Sequence, residues 1–131
     1  MRSARLETRS LIGLLVPVDS AGPCRLLRVL DQSAAISDLL GGGPMEEVIS
    51  GSVDGRLISV YALDSGGPRN TRAGVIAARL GYEARDVQRR LSGHVLITGQ
   101  HPSGTSDVDI PQEVLALVFA SGIEVLVPQR R

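Results

Sequence analysis

Two arginines and an asparagine stand together in Arg69-Asn70-Thr71-Arg72, where the spacing of Val75, Ile76 and Leu80 predicts a helix over 70–80. If Asn70 caps that helix, Arg69 and Arg72 crowd its positive dipole end, where cations are disfavoured by a few tenths to about 1 kcal/mol. A negative partner is therefore expected beside them. It is either an internal carboxylate, such as Asp64, Glu46 or Glu47, or a bound anion held by free backbone N–H groups and the two guanidinium forks.

Other reactive-looking residues lead to plainer readings. Asp64-Ser65-Gly66-Gly67-Pro68 is similar to the nucleophile segment of chymotrypsin-type serine proteases, with Leu63 where those have glycine. There the histidine base precedes the serine, whereas His94 and His101 both follow Ser65, so the tract reads as a glycine and proline turn. Neither histidine has a cysteine or carboxylate at ligand spacing, and no metal site is expected. Cys24, the single cysteine, reads as a half-buried strand thiol; it has no internal disulfide partner, which suits a reducing compartment. All fourteen basic residues are arginine, which excludes a lysine nucleophile, a Schiff base or a phosphate-loop lysine. The expectation is a non-enzymatic protein without a cofactor.

A second constellation overlaps the first. Ile76, Ala77, Leu80, Gly81, Tyr82 and Val87 match helix-turn-helix spacing, with a small residue for close approach, a glycine turn and apolar sealing positions. On that reading Arg79, Arg85, Gln88 and Arg89 would face DNA. Arg90 departs from the pattern by standing at a usually apolar position, and Glu83 and Asp86 would bring carboxylates toward the phosphates.

The elements that must position these residues belong to one small domain. At 131 residues the chain buries roughly two thirds of its unfolded surface in a single core. Acidic and basic residues balance at fourteen each, so no global field draws it to nucleic acid or a membrane. Two tyrosines and one phenylalanine leave little for base-stacking platforms. Strands are expected at 11–18, 24–30, 45–49, 56–63 and 94–98, with a short sixth at 125–127. Helices are expected at 33–40, with Ser33 as N-cap, at 70–80 and near 84–91; a last one would be capped by Asp109 with Gln112 completing a capping box. Residues 1–10 read as a flexible arm and 11–131 as the domain. The class is α+β, a mixed or antiparallel sheet of about five to six strands packed by roughly two to four helices. No apolar run is long enough to span a bilayer, and the arginines before Leu11 make a poor leader with Glu7 among them and Pro17 soon after, so a cytoplasmic protein is expected.

Several short motifs occur together: Leu14-Leu15-Val16-Pro17, Leu39-Leu40-Gly41-Gly42-Gly43, Met45-Glu46-Glu47-Val48, Asp64-Ser65-Gly66-Gly67 followed by Asn70-Thr71-Arg72-Ala73, and Ser92-Gly93-His94-Val95-Leu96-Ile97-Thr98-Gly99. In this order, over residues 11–100, they resemble the domain of unknown function 3846 family of bacteria, phages and plasmids. Two departures stand out. An additional residue separates the glycines from Glu46, and the family's glutamate pair is missing from the Asp64 turn. The resemblance implies an α+β domain from a mobile element and transfers no activity. The matched positions lie at loop ends, which suits either tight turns or a ligand rim.

The candidate site is therefore Arg69, Asn70 and Arg72 for a small anionic or nucleotide-like ligand or a host protein, with Gly41, Gly42, Gly43 and Glu46 as a second wall. A DNA-binding regulator is the alternative. A homodimer or scaffold formed through the aliphatic segment 123–127 is the third.

Overall fold

The computed structural model describes residues 9–64, 67–103 and 106–127. Most of the N-terminal arm, Ser65 and Gly66 of the protease-like tract, and the last four residues lie outside them. The chain opens with β1 (Ser10–Val16), one residue earlier than expected, and β2 (Cys24–Leu30) returns antiparallel with Leu14 opposite Leu26. Helix α1 (Ser33–Leu40) ends where Gly41 takes the left-handed conformation that side-chain-bearing residues resist. Ser33 is its first helical residue and not its cap; Gln32 holds that position without a side-chain bond.

β3 (Met45–Val53) and β4 (Arg56–Leu63) form a hairpin around Asp54-Gly55, both at positive φ, as a two-residue turn matched to strand twist requires. Helices α2 (Thr71–Arg79) and α3 (Arg85–Arg90) follow, then β5 (Val95–Gln100), β6 (Asp107–Val108), α4 (Gln112–Ala120) and β7 (Val125–Leu126). The sheet order is β3-β4-β5-β1-β2-β7, with β6 on β5. All pairings are antiparallel except β2 with β7, so the sheet is mixed.

The unexpected strand is β6, and it explains a second correction. β1 pairs Val95 to Ile97 of β5, and beyond Thr98 β6 takes Gly99 and Gln100. Asp109 just after β6 accepts a hydrogen bond from the Ile12 N–H at 2.8 Å, fastening β6 to β1. It does not cap α4, whose N-cap is Pro111, so the capping box with Gln112 does not form.

Alternation divides the core by sheet face. Leu14, Val16, Ile58, Val60, Ala62, Val95 and Ile97 meet Ile76 and Ala77 of α2 and Val114 and Val118 of α4. On the opposite face Leu11, Leu15, Val29 and Leu96 meet Ile36 and Leu40 of α1. Three layers result, and α1 is too short to cover its face. No helix among the described residues is long and apolar enough to cross a membrane.

Candidate ligand-binding site

The negative partner expected at the start of α2 is supplied by backbone. The Arg72 guanidinium donates to the carbonyls of Gly22 at 2.5 Å and of Pro17 and Asp19 at 3.0 Å, which are the loop between β1 and β2. Three carbonyl dipoles do here what one carboxylate was expected to do. Asn70 is buried: its Oδ1 accepts from the Ala73 N–H, and its Nδ2 donates to the carbonyls of Val16 and Gly93, both at 2.8 Å. Arg69 is exposed and pairs through its backbone with Ser92. Cys24, fully buried, lies within reach of the Arg72 charge; burial raises its thiol pKa and Arg72 opposes the rise. Thus Asn70 and Arg72 knit α2 to β1 and its loop, and the two guanidiniums do not converge on a pocket.

The proposed second wall is likewise used internally. The Gly41 and Gly42 N–H groups donate to the carbonyls of Asp38 and Ser37, and the Ser37 hydroxyl donates to the Gly43 carbonyl. Glu46 accepts from Nε and Nη2 of Arg90, at 3.2 and 3.3 Å. In the helix pair, Gln88 donates to the carbonyls of Gly74 and Tyr82 and so binds α3 to α2. Arg89 faces Asp86 at 3.4 Å, while Arg79 and Arg85 are exposed. α3 has only six residues, which leaves a short base-reading helix.

A different set of polar groups does come together. Beyond the N-terminus of α1, the face that α1 covers with leucines turns polar, because Ser59 and Tyr61 of β4 pair with Thr98 and Leu96 of β5, and Glu47 of β3 pairs with Tyr61. There a cavity of about 300 Å³ opens between the sheet, β6 and the turn before α1, with Asp31, Glu47, Tyr61, Gln100 and Asp107 among its lining. The Tyr61 hydroxyl donates to Asp107 at 2.7 Å, and the Ser59 hydroxyl donates to Glu47 at 2.5 Å. Gln100 Nε2 reaches Ser50 at 3.1 Å, Ser59 at 3.3 Å and Glu47 at 3.4 Å. These bonds fix the wall before any ligand arrives.

Its electrostatics are one-sided. Burial raises the Asp107 pKa, and the charges of Asp31 and Glu47 raise it further, while the bond from Tyr61 and the nearby Thr98 hydroxyl hold it back. Tyr61 is pushed above the ordinary phenol range, first by burial and then by Asp107, so it keeps its proton and acts as a donor. Thr98 is fully buried beside Asp107, and its hydroxyl has no hydrogen-bond partner among the described residues. No arginine or histidine among the described residues lines the cavity. Among the described residues, no group of three or more His, Cys, Asp or Glu is arranged to hold a metal ion. The sequence did carry a signal for this site: polar residues two apart, Ser59 with Tyr61 and Thr98 with Gln100, inside strands that are otherwise aliphatic.

No family model matches the chain, and no curated protein matches it significantly. Among solved structures, the fold is similar to part of the small RNA methyltransferase HEN1, with a TM-score of 0.60 and 13% identity over 90% of this chain. This chain spans 17% of that protein's length. At such identity the likeness shows the fold alone.

Proposed function

We propose that this domain is a non-enzymatic binding module whose recognition site is the carboxylate-lined cavity, and that it takes a cationic, N–H-rich group, such as an alkylguanidinium, from a small ligand or a partner protein. One observation carries this reading: Asp31, Glu47 and Asp107 surround one cavity that, among the described residues, no cationic side chain lines, Arg9 lying in the adjoining hollow. Charges of like sign held together in a partly desolvated place repel one another, and a bound cation relieves that repulsion. The preset bonds of Ser59 and Gln100 to Glu47 reduce the ordering needed on binding. The reading replaces an anion at Arg69 and Arg72, since Arg72 is occupied by the loop carbonyls. The mobile-element setting implied by the family resemblance goes with it as part of the same proposal.

The test is thermal unfolding with ethylguanidinium, spermidine, inorganic phosphate and a nucleoside monophosphate, for the wild type and for Asp107→Asn. The two cations should raise the melting temperature of the wild type, and Asp107→Asn should weaken their binding about tenfold. Stabilisation by phosphate or the nucleotide without any by the cations would overturn the reading. The pH dependence has a definite sign. Folding favours protonated Asp107, so its contribution is fullest below the ordinary carboxylate range and is lost as pH rises through the raised folded value. Asp107→Asn, which still accepts from Tyr61, should remove that loss and leave the variant the more stable protein near neutral pH.

A further inference from the structure

The sheet has a second feature that the cavity does not use. β7 pairs only with Cys24 and Arg25, and the rest of β2 forms the margin of the sheet. The Cys24 N–H points away from β1, donating to the Glu124 carbonyl, so alternation turns the backbone groups of Leu26, Arg28 and Leu30 to the same outer side. The Leu30 carbonyl is used by Gln32, which leaves the Arg28 N–H and carbonyl at the centre of a short open ladder. Beside it lies a mainly apolar groove of about 390 Å³, with Ile12, Arg25, Leu26, Arg28, Leu126 and Val127 in its walls. Leu30, Leu126 and Val127 are 42%, 49% and 60% exposed, three of the five large apolar side chains most open to water among the described residues.

We propose that this margin docks an extended segment of another protein as an added strand, and that the segment carries an acidic residue opposite Arg28 with apolar residues two positions to either side. The apolar pair would meet Leu26 and Leu30, which share a sheet face with Arg28. Charge selects this occupant. Arg25 and Arg28 are exposed at the groove and form no ion pair among the described residues; Arg28 donates only to the Ser10 hydroxyl at 3.1 Å. A second copy paired antiparallel about the centre of this margin would set its own Arg28 against Arg28, and like charges facing across strands are destabilising. The chain's own residues after Val127 are poor occupants. They begin with Pro128, which has no N–H to donate, and include Arg130 and Arg131.

The experiment uses the full chain and two labelled peptides with an apolar-x-acidic-x-apolar core, identical except that the central glutamate of one is lysine in the other. Binding is followed by fluorescence polarisation and by amide hydrogen exchange of residues 26–30. The glutamate peptide should bind about tenfold more tightly than the lysine peptide and slow exchange at Arg28. Arg28→Glu, with its fold checked by thermal unfolding, should invert the preference. The proposal is overturned if the preference ignores the sign at residue 28, or if exchange at 26–30 slows with protein concentration alone, which would place a second copy on the margin. Should Arg28→Glu fail to fold, Arg28→Gln with the same peptides must lose the preference for glutamate, and retention of that preference would equally sink the idea.

Discussion

The two margins of the sheet are built in opposite ways. Along β3 the chain is shielded at several points: a bulge interrupts the ladder between Glu47 and Ile49, Arg90 reaches from α3 to Glu46, and the Tyr82 hydroxyl donates to the Ser52 carbonyl at 3.0 Å. Bulges, charges and covering elements are the usual means by which a margin is made unattractive to other strands. Along β2 there is only the two-residue β7, and leucines face water. The cavity lies toward the shielded side, where a rigid wall is useful, and the open groove lies at the other. Sheet proteins that leave a margin unguarded beside a guarded one have a surface available for pairing, and that contrast is what substitutions can probe.

The strongest way to break the shielded side is to release the helix pair that covers it. Asn70→Ala removes the α2 cap and two buried donors, and should cost about 3 kcal/mol by chemical denaturation. Next comes Gly51→Ala, because a Cβ at Gly51 would collide with the Tyr82 hydroxyl and push its ring off the Ser52 carbonyl. Roughly 1–3 kcal/mol is expected, together with faster amide exchange along β3. The smallest effect belongs to the open side. Leu126→Ser should shift stability by less than about 0.5 kcal/mol, since that side chain is half exposed, and yet weaken the glutamate peptide. A large loss of stability from Leu126→Ser would mean that the groove is core and the contrast between the margins is false.

Local pattern made much of this fold legible. The β2, α1 and β4 segments fall at the residues their periodicity implies, because each has a clear apolar face and turn formers at its ends. What escaped was set by distant partners. β6 is two residues long and is defined only by its pairing with Gly99 and Gln100, and Asp109 accepts from Ile12 instead of capping α4. The start of α2 is the most instructive case. The dipole argument correctly required a negative partner for Arg72, but nothing local indicated that it would be three carbonyls from a loop some fifty positions earlier. The cavity was missed for a related reason: Glu47, Tyr61 and Asp107 meet through strand register and a bulge, and neither can be counted from composition or spacing.

The central place of β1 has a consequence for how the molecule is made. Its partner on one side, β2, follows within a few residues, but its partner on the other is β5, with Leu14 opposite Ile97. During synthesis the first hairpin therefore leaves the ribosome with an aliphatic flank that stays unsatisfied until most of the chain has appeared. Long-range pairing of this kind slows folding, so the nascent hairpin keeps an edge open to other chains until β5 arrives.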